Sequence, residues 1–175
     1  MAEPTSIRAV LLQELGPEAD RTRRSLERVP ADRWDWRPHE KSASMGQLAG
    51  HVATLPSFVR TILTTQRFDM MTPPAGYVRP QPPDTAAELV PASERAFAQA
   101  REALGAARDE DLFAPWSFTA GEQRIVSGLP RYLAIRNFVC NHLVHHRAQL
   151  GVYLRLCDVP VPALFGPSAD EPWRG

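Results

Sequence analysis

Apolar positions recur along most of this chain at helical spacing rather than in strand-like alternation. Over residues 6–29, Ile7, Val10, Leu11, Leu15, Thr22, Leu26 and Val29 recur at intervals of three, four or seven, which predicts a first helix. Gly16-Pro17 interrupts it, and a kink or break is expected because proline lacks an N–H and crowds the turn before it. Pro30 ends it. Residues 31–42 lose the period and carry Trp34 and Trp36, expected to cover one end of the core. Ser44-Met45-Gly46-Gln47 reads as a capping box, with serine at the N-cap and glutamine three residues on. The helix behind it presents Leu48, His51, Val52, Leu55, Val59, Ile62 and Leu63 on one broad face, with a bend expected at Pro56.

Residues 72–83 are dense in proline and read as a loop within one domain. Thr85 with Glu88 predicts the cap of a third helix over 86–106, closed by Gly105 and Asp109-Glu110-Asp111. Residues 113–126 are the one strand-like region, a hairpin in which Trp116-Ser117-Phe118 and Gln123-Arg124-Ile125-Val126 flank Thr119-Ala120-Gly121-Glu122. The last helix starts near Pro130, a residue suited to the first helical position, and runs to Leu156 or Cys157. Asp158-Val159-Pro160-Val161-Pro162 stops it, and the patternless tail 163–175 is expected to lie against the bundle. The fold class is all-α: a single domain, residues 1–175, built as an up-and-down four-helix bundle with a small β-hairpin before the last helix.

Composition narrows the function. A chain of 175 residues is long enough to bury a core without staples. Twenty basic residues balance twenty acidic ones, so no general basic field recommends nucleic acid as a partner. No window approaches the roughly 18 apolar residues of a membrane span, and the N-terminal stretch has no basic region before its apolar patch. Cys140 and Cys157 fall in one predicted helix, about 25 Å apart at 1.5 Å per residue. That is beyond the reach of a disulfide. A reducing, cytoplasmic setting is the expectation.

The candidate chemistry lies in the histidines. His142 and His146 are one turn apart on a helix, about 40° from each other, and Ile135, Phe138, Val139, Gln149 and Tyr153 share their sector. Two imidazoles at this spacing can grip one cation. His51, among Leu48, Val52 and Leu55 on the apolar face of another helix, is the natural third ligand. His145, about 60° to the other side of His142, is the alternative partner or a supporting group. Histidines hydrogen-bonded in a metal-free core are the competing explanation, and the spacing alone leaves both open. Leu143 stands where a His-Glu-x-x-His protease has glutamate, and no acidic residue occurs between Pro130 and Cys157. Three neutral imidazoles would leave a divalent charge uncompensated, inviting an anionic fourth ligand and a catalytic rather than structural role.

The segment Asn141-His142-Leu143-Val144-His145-His146-Arg147-Ala148-Gln149-Leu150-Gly151-Val152-Tyr153-Leu154-Arg155 resembles the signature helix of the DinB/YfiT-like family of metal-dependent proteins. The likeness continues through Asp158-Val159-Pro160-Val161-Pro162 and Phe165-Gly166-Pro167-Ser168-Ala169-Asp170-Glu171, and upstream in Trp36-Arg37-Pro38 and Gly46-Gln47-Leu48-Ala49-Gly50-His51-Val52. It is weakest over residues 72–114. Ala148 departs from the family's common glycine. The resemblance implies a four-helix bundle, a divalent ion held by His51, His142 and His146, and often a homodimer. It also implies transferases or isomerases that use a low-molecular-weight thiol such as mycothiol or bacillithiol.

The leading expectation is therefore a metal-activated thiolate acting on a small-molecule substrate. Arg147 or Arg124 would hold an anionic group, and Gln149 and Tyr153 would orient a ligand or water. The second expectation is a hydrolase activating water, with Asp35, Glu40, His39 or His145 as proton acceptor. The third is a non-catalytic metal-binding or interaction bundle, in which Leu133, Cys140, Val144 and Gly151 form a second apolar stripe facing another helix or a twin subunit. Zinc, nickel, iron and manganese all suit three imidazoles.

Overall fold

A computed structural model describes residues 6–172. Residues 1–5 and 173–175, and with them part of the N-terminal stretch and the end of the tail, lie outside the described residues. Among the described residues, seven α-helices carry about half of the chain: α1 (Ile7–Leu26), α2 (Met45–Thr54), α3 (Phe58–Thr64), α4 (Ala86–Ala106), α5 (Asp109–Phe113), α6 (Arg131–Ile135) and α7 (His142–Leu156). Three strands, β1 (Arg67–Asp69), β2 (Pro115–Ala120) and β3 (Gln123–Pro130), make one sheet in that order. The fold is thus predominantly helical with a small sheet, not all-α. The expected four rods are subdivided, and the hairpin gains a third strand, β1, parallel to β2.

Burial explains where proline breaks a helix and where it does not. Pro17 lies on the exposed face of α1, and its ring leaves the carbonyl of exposed Gln13 open to water. Of the expected kink or break, the break does not occur: the helix runs through, with Leu11, Leu15, Glu18 and Thr22 buried on its inner face. Pro91 in α4 is likewise exposed and tolerated. Pro56 is buried, and there the chain tightens into a 3-10 turn over Leu55–Ser57 that separates α2 from α3. The expected bend is real, and it takes the form of a change of helix type.

Helix boundaries follow local chemistry. The Ser44 hydroxyl accepts from the Gln47 N–H at 3.2 Å while the Gln47 side chain accepts from the Ser44 N–H at 2.9 Å, completing the capping box. At α4 the expected cap takes another form. Thr85 makes no side-chain cap bond, and the Glu88 carboxylate accepts from the Asp84 N–H at 2.9 Å. Asp109-Glu110-Asp111 do not close α4 but open α5, where acidic side chains complement the positive end of the helix. The last helix ends at Leu156 as expected, through Val159 N–H to Leu154 carbonyl and Asp158 N–H to Arg155 carbonyl bonds, with Asp158 in the left-handed region at φ 57°.

Between α6 and α7, residues Arg136–Asn141 form a π-helical segment. A π turn takes up an extra residue and shifts the phase of the helix beyond it. The uniform helix expected from Pro130 onward is therefore interrupted immediately before His142. The exposed apolar stripe of α7 is Val144, Ala148, Val152 and Leu156, while Cys140 of the expected stripe is buried.

The core joins α1, α2, α4 and α7, with α1 against α4 and α2 against both α4 and α7. Trp34 and Trp36 cover its end, as expected. A Cβ on Gly46 would lie 2.3 Å from the Trp34 ring, so glycine there lets the start of α2 close on the indole. The tail is pinned to the helices: Asp170 pairs with Arg155 and accepts from Val161 N–H at 2.8 Å, and Glu171 pairs with Arg24 at 2.9 Å. No helix of the described residues is long and apolar enough to cross a membrane.

One carboxylate ties β1 to the hairpin. Asp69 Oδ1 accepts from the N–H of Met71, Thr72 and Gly121, at 2.9, 3.4 and 3.0 Å. These bonds, Gly121 first, hold its carboxyl down at about 2, below the ordinary 3.8. Because the folded value is depressed, this stabilisation is complete above about pH 4 and is lost as pH falls through 2. The amide signals of Met71 and Gly121 are expected to shift with a midpoint near 2 in an NMR titration, and Asp69→Asn to abolish that transition. A midpoint at the ordinary aspartate value would show that the three bonds do not form in solution.

Candidate metal centre

His51 is presented by α2, whose position is set by the Ser44 cap, the Gly46–Trp34 contact and the buried face formed by Leu48, Ala49, Val52 and Ala53. His142 and His146 come from the first two turns of α7, after the π segment, so the one-turn spacing between them is undisturbed. The packing of α2 on α7 brings the three together. One ligand nitrogen from each lies within 4.8 Å of the other two. Ring centroids are 5.1 Å apart for His51–His142, 4.7 Å for His51–His146 and 4.5 Å for His142–His146. Among the described residues no carboxylate or thiol joins this group.

The donor set fits a divalent ion. The Nε2 atoms of His142 and His146 are 2.7 Å apart. Two imidazoles on one tetrahedral ion at about 2.0–2.1 Å stand roughly 3.3 Å from each other, so a small separation of the two rings seats the ion. Burial, and then His146 and His142 beside it, push the His51 imidazole down to about 4, leaving it neutral and able to ligate near pH 7. His142 is lowered too, by burial and then by His146, against an opposing hydrogen bond with the Phe138 backbone. Gln149 Oε1 lies 2.7 Å from His146 Nδ1 and fixes that ring with its Nε2 toward the cluster.

The remaining candidates separate clearly. Tyr153 donates its hydroxyl to the Ala43 carbonyl at 3.2 Å and meets Trp36 edge-on at 5.6 Å, so it braces the approach to α2. His145 is exposed, its ring 4.8 Å from that of His146, outside the ligand group. Arg147 is not a substrate anchor. It is buried against α1, where its Nη2 meets Glu18 at 2.6 Å and its Nη1 bonds Thr22 Oγ1 at 3.0 Å. Arg124 stands exposed on β3. Asp35, His39 and Glu40 are exposed in the loop before α2, and His39 Nδ1 accepts from the Lys41 N–H. Neither cysteine joins the cluster; burial pushes the Cys140 thiol up to about 11 and raises Cys157 as well.

A cleft of about 380 Å³ adjoins the cluster. His51, Thr54, Leu55 and Phe58 line one wall, and Tyr77, Arg79, Pro80 and Pro82 of the proline-rich loop line the other. The sequence pattern did not reveal this second wall. Its one signal was an aromatic residue, Tyr77, within a proline-rich loop.

Two solved structures share this architecture. A DinB-like protein from Bacillus cereus superimposes with a TM-score of 0.70 at 19% identity, covering 92% of this chain and 99% of its own. A DinB-like protein from Bacillus subtilis gives 0.61 at 17% identity, with coverage of 86% and 95%. At these identities the likeness is one of fold. No curated protein matches the chain. The DinB superfamily model matches residues 15–150, a stretch that contains His51, His142 and His146. By that match and that fold, the chain belongs to the DinB superfamily.

Proposed function

We propose that the protein is a divalent-metal enzyme, a low-molecular-weight-thiol-dependent S-transferase or isomerase, that adds the thiolate to a small electrophile with loss of its leaving group or opening of its ring, or isomerises it. The observation that supports this reading most is the composition of the cluster: three imidazoles within 4.8 Å, with no carboxylate among them. Such a site carries a full divalent charge and has room for an anionic fourth ligand. When bound, zinc, nickel, iron or manganese would act as a Lewis acid that lowers a thiol's pKa and holds it as thiolate. The chain's own residues hold that ion, orient His146 through Gln149, and shape an apolar cleft beside His51. Because neither Cys140 nor Cys157 joins the cluster, the thiol comes from outside.

Water activation is the second reading. It needs a proton acceptor at the site, and no carboxylate lines the cleft or joins the cluster among the described residues, which disfavours it. Exposed His145, next to His146, is the acceptor it would have to use. A second copy of this chain is the proposed partner for the exposed stripe Val144, Ala148, Val152 and Leu156, forming a cytoplasmic homodimer.

Cobalt substitution tests the main reading. Adding cysteine or bacillithiol to the cobalt-loaded chain is expected to produce an intense near-ultraviolet sulfur-to-cobalt band. Turnover of an alkylating or epoxide electrophile is expected only with thiol present. A cobalt spectrum unmoved by thiol, with ester hydrolysis in its absence, selects the hydrolase. Bound cobalt with neither effect selects the non-catalytic bundle.

A further inference from the structure

The cleft beside His51 has its own chemistry. Its walls are largely apolar: Leu55 and Phe58 on one side, Tyr77, Pro80 and Pro82 on the other. They are held in place. Phe58 packs edge-on against Phe68 at 5.3 Å, and Tyr77 packs edge-on against the same ring at 4.9 Å. Gly50, next to His51 in α2, brings the second wall close: a Cβ there would stand 3.2 Å from Pro82 Cβ. A volume of about 380 Å³ suits a small organic molecule rather than a peptide or nucleic acid.

Charge then selects among such molecules. Arg79 is the one permanently charged residue lining the cleft, and no carboxylate lines it. Arg79 is exposed, and no carboxylate of the described residues lies within ion-pair distance of it. Arg79 differs in this from Arg24, Arg28, Arg136 and Arg155, which all pair with carboxylates. An unpaired guanidinium lining the same cleft as His51 offers a two-pronged donor to one end of a ligand.

We infer that this cleft is the electrophile's binding site, that its ligand is a small organic carboxylate with an apolar or aromatic body, and that Arg79 holds the carboxylate. The body lies between Phe58 and Tyr77, and the far end of the ligand reaches the His51 edge. The inference deepens the proposed function and rests on it for the direction in which the ligand lies. Anion recognition by Arg79 itself requires only the cleft.

The test is calorimetric titration of phenylacetate and of its neutral amide, phenylacetamide, into the wild-type chain and Arg79→Gln. Each is run metal-free and zinc-loaded, with melting curves confirming that the exposed substitution leaves the fold intact. Phenylacetate is expected to bind wild type about tenfold more tightly than phenylacetamide, and Arg79→Gln to remove that preference while leaving amide binding unchanged. The preference is expected in the metal-free chain too, so a failed metal centre and a failed anion site give different results. Equal binding of acid and amide to wild type overturns the inference. So does a preference that survives Arg79→Gln but vanishes with the metal, which would place the carboxylate on the ion. Absence of binding by both probes overturns it as well.

Discussion

Replacing Arg147 with alanine is expected to destabilise the protein by about 3 kcal/mol, the low end of the cost of breaking a buried ion pair, because Glu18 keeps a second partner in Arg21 at 2.6 Å. Arg147 is 2% exposed and Glu18 7%. The guanidinium joins α7 to α1 through the Glu18 carboxylate at 2.6 Å, the Glu18 carbonyl at 3.3 Å and Thr22 Oγ1 at 3.0 Å. Burial pushes the Arg147 pKa down, and the adjacent Glu18 carboxylate opposes that. Urea denaturation of Arg147→Ala and Glu18→Ala should each show a large loss. The double variant Glu18→Met with Arg147→Met should be more stable than either single variant, because it removes both charges at once. If Arg147→Ala melts like the wild type, the arginine is solvated and the contact between α7 and α1 is misassigned.

The second large effect concerns metal. A ligand that binds only the folded chain raises its stability by RT ln(1 + [L]/Kd), about 4 kcal/mol at a thousandfold excess over Kd. Zinc added to the metal-free chain is expected to raise its melting temperature by several degrees. His51→Ala, His142→Ala and His146→Ala should each abolish that rise. Gln149→Ala, which leaves the three ligands in place but frees His146 Nδ1, is expected to weaken zinc about 10–100-fold without abolishing binding. His145→Ala should leave the shift unchanged, since its ring lies outside the cluster. Zinc-induced stabilisation that persists in His142→Ala would place the ion elsewhere.

The three-histidine cluster could be read from the sequence because it depends on two robust local features. His142 and His146 share a face over a single turn, whatever happens upstream, and His51 lies among apolar residues that must turn inward. What the sequence concealed depended on tertiary packing. The π segment at Arg136–Asn141 is a choice of backbone hydrogen bonds with no signature in residue spacing. Whether a proline breaks a helix depended on which face it occupied: exposed Pro17 did not, and buried Pro56 did. Strand β1 has three residues, too few for alternation to be recognised. The role of Arg147 did leave a trace. Glu18 and Thr22 continue the inner face of Leu11 and Leu15 on α1, and a carboxylate on a buried face requires a buried cation. Helical spacing puts Tyr153 and Gln149 on the ligand face of their helix, but only coordinates show that one braces Ala43 and the other orients His146.

That His51, His142 and His146 together hold one divalent ion can be checked by elemental analysis of the untagged wild-type chain, purified without chelator and run beside His142→Ala. One equivalent of a divalent transition metal is expected per wild-type chain, and only a trace in the variant. Wild-type protein that carries no such metal and takes up none on dialysis would refute the metal centre.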